Sequence, residues 1–144
     1  MMGTLLVNSV PASVLFDSRA SHSLISAAFA RKQDLPFENL YPPLVVYSPG
    51  SSWDTSMIAH NNRIEIGGLV FAASLMALKV STIDVILGMD WLKAHDAHIR
   101  CGTKTVQLTH PSGKKILYST RTVQHAESQI YALNALNASP LEGI

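Results

Sequence analysis

The residues best placed to do chemistry follow an apolar run near the start of the chain. Val14–Phe16 is bulky and uninterrupted by polar residues, which is typical of a strand covered on both faces, and Asp17 and Ser18 come next. An acid at the end of a buried strand could act in proton transfer. It could also simply open a turn, because Asp and Ser side chains bond nearby backbone N–H groups. Taken by themselves, these residues favour the turn.

The stretch from Val14 to Ser23 resembles the active-site loop of retropepsin-type aspartic proteases, specifically those encoded by gypsy-type plant retrotransposons. That loop reads apolar, apolar, Asp, Ser, Gly, Ala, Ser or Thr, His, Ser, and this chain matches every position except one. Arg19 stands where the family has glycine. The resemblance implies that Asp17 is the catalytic acid, that Ser18 supports the loop by hydrogen bonding, and that Ala20 occupies a crowded position.

A second segment is similar to the same family almost letter for letter. Residues Asp84–Leu92 read Asp-Val-Ile-Leu-Gly-Met-Asp-Trp-Leu and match at nine consecutive positions. We expect the strand Val85–Leu87 to pass beside the catalytic loop, with Gly88 allowing a close backbone approach where a side chain would collide. Asp90 is interpreted as a structural acid at the start of a helix, Trp91–His95.

An aspartic protease needs two carboxylates that share one proton, one acting as a base on water and the other as an acid on the scissile carbonyl. The only other Asp followed by a hydroxyl residue is Asp54, before Thr55. No apolar strand precedes it and Ser56 stands where glycine belongs, so it is rejected as a second catalytic acid. The sequence therefore predicts that an active enzyme is a homodimer with two copies of Asp17 on a two-fold axis.

The residue at position 19, an arginine, determines how much of the family's protease activity we expect in this chain. In the family, glycine lets the loop turn sharply and lets two loops interlock at the dimer axis. Arginine adds a long side chain, penalises a positive φ, and places a cation two residues from Asp17, which favours the ionised carboxylate. The sequence predicts a weakened or inactive aspartic endopeptidase, with a monomer possible. The alternative is a catalytically dead, protease-like binding module that holds a peptide or partner protein.

A cluster of turn formers at 48–52 predicts an exposed hairpin tip. The resemblance assigns it to the flap that folds over bound peptide, with Pro49, Gly50 and Ser51 at the tip and Trp53 as the large apolar contact. From the residues alone, an ordinary surface hairpin is preferred.

The expected fold is mostly β, a retropepsin-like closed barrel of short strands with one or two short helices. Besides Val85–Leu87, strands are predicted where apolar residues alternate or run between turn formers, at Gly3–Val7, Ala12–Phe16, Leu44–Tyr47, Arg63–Ile66, Leu69–Leu78, His98–Cys101, Thr105–Thr109 and Lys114–Ser119. Apolar spacing after Ser23 predicts a helix at Leu24–Arg31, and Tyr41–Pro43 is predicted to be an extended connector. Residues 1–119 form the predicted protease-like domain. Residues 120–144 resemble the linker toward a reverse transcriptase, so we expect an excised piece of a polyprotein.

The amino-acid composition restricts the other classes of protein to which the chain could belong. With 144 residues, 47% hydrophobic and 15% charged, the chain can form one domain with a normal core. A net charge of +1 with scattered basic residues argues against nucleic-acid binding as the main role. The single cysteine, Cys101, suits a reducing, cytoplasmic compartment. No signal peptide is expected, since the first residues, Met1–Thr4, lack its charged and apolar regions. No membrane span is expected, since no apolar run approaches ~20 residues.

Two other constellations are weaker candidates. His95 and His98 lie three apart but have no third ligand at a useful spacing, so neither a metal nor a cofactor is expected. Ser21 and His22 invite a serine-histidine mechanism. Sequence neighbours on an extended loop seldom point at each other, and no orienting acid is placed, so we do not expect one.

Overall fold

The computed structural model describes residues 1–48, 51–79 and 82–120, with backbone alone at Ser48, Ser51 and Trp53. The described part contains ten strands and two short helices. The strands are β1 Met2–Val7, β2 Val10–Phe16, β3 Leu24–Ser26, β4 Glu38–Ser48, β5 Ser51–Ile66, β6 Leu69–Leu78, β7 Val85–Leu87, β8 His98–Arg100, β9 Thr105–Thr109 and β10 Lys115–Ser119. The helices are α1 Ala27–Lys32 and α2 Met89–Ala94. Within the described residues, neither helix is long enough to cross a membrane.

Six strands close on themselves. The large sheet has the order β1-β2-β7-β3-β6-β5-β4, and an additional pairing of β1 with β5 joins its ends into a barrel. Strand β4 stays outside the closed ring, paired on one side with β5. Strands β8, β9 and β10 form a separate antiparallel sheet. The predicted fold, a mostly β closed barrel with one or two short helices, is confirmed, and the described residues form two helices.

Aromatic side chains join the barrel, α2 and the small sheet into one core. The ring centroids of Phe71 on β6 and Trp91 on α2 lie 5.7 Å apart. Those of Phe16 on β2 and Tyr118 on β10 lie 6.0 Å apart. All four side chains are buried. Large aromatic residues contribute much apolar area each, so these contacts fix the helix and small sheet against the barrel.

The first turn of the predicted helix is a strand instead. Leu24–Ser26 forms β3, which pairs in parallel with β6 and antiparallel with β7. All three of its side chains are buried, so sheet pairing on both sides outweighs the local helical spacing. Helix α1 starts only at Ala27, where the Ser26 hydroxyl caps it by accepting from the backbone N–H of Phe29 at 3.4 Å.

Several other boundaries differ from the prediction, including the following three. Tyr41–Pro43, expected as a connector, lies within β4, where the register with β5 shifts between Asn39 and Leu44. The shift fits Pro42 and Pro43, which lack the N–H that a regular ladder needs. Strand β5 is far longer than predicted because it continues from the hairpin to Ile66. Helix α2 begins at Met89, which places Asp90 in its first turn.

Candidate active site

Asp17 lies at the end of a buried strand, held against β7. Strand β2 pairs in parallel with β7 from Val14 to Phe16, and the Asp17 N–H continues the ladder by donating to the Leu87 carbonyl at 3.0 Å. The chain then turns, with the Ala20 N–H donating to the Asp17 carbonyl at 3.2 Å. Ala20 is 1% exposed. The carboxylate is therefore carried on a short turn rooted in two paired strands.

Arg19 contacts the Asp17 carboxylate twice. Its backbone N–H donates to Asp17 Oδ1 at 2.9 Å, and its Nε lies 3.6 Å from the same oxygen. The Asp17 side chain is 13% exposed, whereas that of Arg19 is 74% exposed. An ion pair this open to solvent is typically worth no more than about 1 kcal/mol. Its consequence for the site is a positive charge beside the acid.

The backbone strain expected of Arg19 is absent. Arg19 is not among the described residues with a positive φ. The loop turns through the Ala20-to-Asp17 hydrogen bond without needing the conformation that favours glycine. Part of the argument against Arg19 is therefore wrong, and only its charge and bulk remain.

Gly88, in the second motif at Asp84–Leu92, packs against the backbone of this loop. A Cβ at Gly88 would lie 2.5 Å from the carbonyl oxygen of His22 and 2.8 Å from that of Ala20. The next N–H, that of Met89, donates to the Ala20 carbonyl at 2.8 Å. This is the close backbone approach predicted from the sequence, and it places α2 directly against the loop.

Ser23 and Asp90 connect the end of the loop to the start of α2. The Ser23 hydroxyl donates to Asp90 Oδ1 at 2.6 Å, and its backbone N–H donates to Oδ2 at 3.1 Å. The same hydroxyl accepts from the Gly88 N–H at 3.0 Å, while Asp90 Oδ1 also accepts from the Trp91 N–H at 2.7 Å. Asp90 therefore has the structural role predicted for it. Sequence reasoning missed Ser23, whose only signal was its place in the motif.

Ser21 and His22 do meet, contrary to the expectation for sequence neighbours. Ser21 Oγ lies 2.9 Å from His22 Nδ1, because the chain bends at these residues instead of running extended. Among the described residues no carboxylate hydrogen-bonds the His22 ring, so the pair lacks the third member of a triad. Ser21 also contacts Tyr47 on β4, donating its N–H to the Tyr47 carbonyl at 3.2 Å and accepting the Tyr47 N–H on its hydroxyl at 3.1 Å.

The predicted flap is a hairpin of β4 and β5. Pro49 and Gly50 lie outside the described residues, and Ser51 and Trp53 are placed by backbone register opposite Ser48 and Val46. Asp54, rejected from the sequence as a second acid, is exposed within β5 opposite Val45. Its position on a regular strand differs from the turn that carries Asp17.

A surface pocket of about 340 Å³ opens beside the loop. Its lining comes from Ser18 and from α2 and the residues after it, namely Met89, Leu92, Lys93, Asp96, Ala97 and Ile99. Ser18 is exposed, and its hydroxyl has no hydrogen-bond partner among the described residues. Its supporting role in the loop stays a prediction.

The histidines weighed as metal ligands have other contacts. His95 is buried against the rings of Phe71 and Trp91, and its Nδ1 lies 2.9 Å from the Trp91 carbonyl oxygen. His98 Nε2 lies 3.5 Å from Asp96 Oδ1. In the described ranges no group of three or more His, Cys, Asp or Glu residues could hold a metal ion.

A closed barrel that carries the Asp17 turn, supported by a strand, a glycine and a short helix, is the retropepsin-like aspartic protease fold. The family model described as retroviral aspartyl protease matches residues 1–114, and the chain belongs to that family.

Two solved structures show the same fold at low sequence identity. The retroviral protease-like domain of Ddi1 from Leishmania major has a TM-score of 0.62 and 15% identity, with 83% of this chain and 91% of that chain covered. EIAV protease in complex with the inhibitor HBY-793 has a TM-score of 0.51 and 20% identity, with 65% of this chain and 86% of that chain covered. Among curated proteins, none matches this sequence.

Proposed function

We propose that the chain is the aspartic endopeptidase domain of a gypsy-type retrotransposon polyprotein, that it works as a homodimer on polypeptide substrates, and that Arg19 weakens its activity. The position of Asp17 carries this proposal: a mostly buried carboxylate on a turn at the end of a paired strand, within a chain of the retroviral aspartyl protease family. The two motifs matched in the sequence support the retrotransposon origin.

The chemistry needs a second carboxylate, which a second copy of Asp17 supplies. Of the pair, the ionised carboxylate takes a proton from a water molecule as that water attacks the scissile carbonyl, and the protonated one donates to the carbonyl oxygen. The carboxyl group that took the proton from water then donates it to the leaving nitrogen as the C–N bond breaks, and the hydroxyl formed from the carbonyl oxygen returns its proton to the other carboxylate. The Arg19 N–H on Asp17 Oδ1 fixes the orientation of each carboxyl group. No metal or cofactor takes part in this scheme.

The face that meets the second copy follows from the position of Asp17. Two copies of the acid can share a proton only if the exposed residues beside it, Ser18 and Arg19, lie near the two-fold axis. Met89, which lines the adjoining pocket, is 37% exposed. Lys93 and Asp96 on the same pocket have opposite charges, so a two-fold axis can pair each with the other residue of the second copy.

Arg19 acts in this scheme through charge and bulk. Each copy brings one guanidinium that lies 3.6 Å from its own Asp17, so the dimer places two cations near a dyad that must share one proton. The two cations also repel each other across the axis. Both effects oppose a productive dimer, and both disappear when the side chain is removed.

The alternative is a protease-like binding module that holds a peptide or partner protein without cleaving it, as a dimer or as a monomer. The contact between Arg19 and Asp17 Oδ1 favours it, because the cation engages the acid that would serve as the base. In either case we propose a reducing, cytoplasmic location, which suits the free, exposed Cys101.

Cleavage of an unfolded protein substrate between pH 4 and pH 7 tests the proposal. We expect weak cleavage by the natural sequence and at least about tenfold faster cleavage by Arg19→Gly and Arg19→Ala, since a barrier lower by 1.36 kcal/mol gives that factor. Arg19→Lys, which keeps the charge, is the matched control and should stay weak. Asp17→Asn in the Arg19→Gly background should abolish cleavage. Folded protein with no cleavage in any variant would favour the binding module instead.

A further inference from the structure

The free edge of β4 is occupied by the active-site loop at one residue. Strand β4 is the last strand in the order of the large sheet, and Tyr47 pairs with Ser52 of β5 on its other side. On the free edge, the Tyr47 carbonyl accepts from the Ser21 N–H at 3.2 Å, and the Tyr47 N–H donates to Ser21 Oγ at 3.1 Å. Both backbone groups of Tyr47 are therefore bound to Ser21.

Ser21 is held in place for this contact by its neighbour. Its hydroxyl lies 2.9 Å from His22 Nδ1, so the oxygen can accept from Tyr47 while its own hydrogen goes to the imidazole. Ser21 is two residues before Ser23, the end of the loop that Gly88 and Asp90 hold against α2. The serine therefore ties β4 to a rigidly supported part of the molecule.

The two hydrogen bonds occupy groups that an extended peptide would use. A peptide that adds to a sheet edge bonds the N–H and C=O groups of alternate residues, and an exposed edge strand is the natural place for it. At Tyr47 both groups already have a partner within the chain. A peptide pairing with β4 at this residue has to displace Ser21 first.

We propose that the contact between Ser21 and Tyr47 is an autoinhibitory latch, which closes the edge of β4 to extended peptides until a peptide replaces Ser21. This inference rests on the proposed binding of polypeptides. The apparent affinity for a peptide is then the intrinsic affinity multiplied by the fraction of molecules whose latch is open. Ser21 acts through β4 and is a positioning residue, with no part in the bond-breaking step.

Hydrogen exchange of the Tyr47 amide tests whether the latch exists. Ser21→Ala removes the hydroxyl acceptor, and the loss of one hydrogen bond of about 1 kcal/mol should speed exchange at Tyr47 about fivefold. Ser52→Ala is the matched control. Ser52 lies on β5 directly opposite Tyr47 and is exposed, so its substitution should leave the exchange rate of the Tyr47 amide unchanged. Equal exchange rates at Tyr47 in the natural chain and Ser21→Ala would overturn the proposal.

Binding of a statine-containing peptide inhibitor of aspartic proteases tests whether the latch opposes peptides. In the Arg19→Gly background, Ser21→Ala should lower the dissociation constant severalfold, and Ser52→Ala should not change it. Equal or weaker binding by Ser21→Ala, or no binding by any variant, would overturn the role of the latch. Neither readout requires hydrolysis, so failure of the proposed protease activity appears separately, as absence of cleavage.

Discussion

At the scale of single residues, the acid that defines the site lies against the one residue that departs from the family motif. Arg19 Nε is 3.6 Å from Asp17 Oδ1, and the arginine also binds that oxygen through its backbone. A substitution to glycine removes the guanidinium and keeps the backbone N–H. The proposed effect of the Arg19 guanidinium on activity can therefore be tested while the backbone N–H that binds Asp17 is kept.

Gly88→Ala tests how tightly the loop rests on the second motif. The new Cβ would lie 2.5 Å from the His22 carbonyl oxygen, a backbone atom that cannot rotate away, so we expect a loss of about 1–3 kcal/mol in the free energy of unfolding. Urea denaturation measures it. Gly102→Ala is the control, because a Cβ there meets nothing within 4 Å and should cost less than about 0.5 kcal/mol. Equal stabilities of the two variants would contradict the close packing.

The buried hydroxyl of Tyr118 should make the folded state less stable at alkaline pH. Burial raises the pKa of its hydroxyl above the ordinary value near 10, so the folded state keeps a proton that the unfolded state releases. Its contribution is fully present below about pH 10 and is lost as the pH rises further, by about 1.4 kcal/mol for each unit. Urea denaturation at pH 8 and pH 11 should show a smaller loss for Tyr118→Phe.

The matched control for Tyr118 is Tyr41→Phe, since Tyr41 is 91% exposed and its hydroxyl is not removed from solvent by folding. That variant should lose stability between pH 8 and pH 11 as the natural chain does. An unchanged alkaline loss in Tyr118→Phe would show that the buried hydroxyl does not govern the transition.

At the scale of elements, the loop and α2 are joined by the carboxylate of Asp90. It accepts the hydroxyl and N–H of Ser23 and the N–H of Trp91. Asp90→Asn weakens these charge-assisted bonds, so we expect about 1–3 kcal/mol less stability by chemical denaturation. Asp54→Asn, an exposed acid on β5, should change stability by less than about 0.5 kcal/mol. A loss no larger for Asp90→Asn than for Asp54→Asn would remove its structural role.

Elements with an unambiguous local pattern were predictable from the sequence, whereas those that depend on distant partners were not. Leu69–Leu78 and Val85–Leu87 are confirmed with both boundaries, because alternation or a short apolar run between turn formers determines them locally. Leu24–Ser26 has helical spacing and becomes a strand because β6 and β7 flank it. The contacts of Ser21 with His22 and Tyr47 also depend on how the loop bends and where β4 lies.

At the scale of the whole molecule, the proposed activity needs a second carboxylate and therefore a second copy of the Asp17 turn. Arg19→Gly removes two like charges from the proposed axis and should shift the sedimentation profile from monomer toward dimer. Adding Met89→Asp, which places a charge on the proposed contact face, should return it to monomer. Val70→Asp is the control, because Val70 is similarly exposed, at 42%, on β6. Dimerisation unaffected by Met89→Asp would place the interface elsewhere.

Subunit mixing tests most directly the claim that two copies of Asp17 form one site. At a concentration where the Arg19→Gly chains are fully dimeric, they are mixed with an equal amount of Arg19→Gly chains that also carry Asp17→Asn, and cleavage is measured after the copies have exchanged. A shared site predicts that activity falls to roughly half that of the same amount of active chain alone, because random pairing puts half of the active chains in mixed dimers. Activity unchanged by the inactive chains would show that each Asp17 works within its own chain, and would contradict the shared dyad.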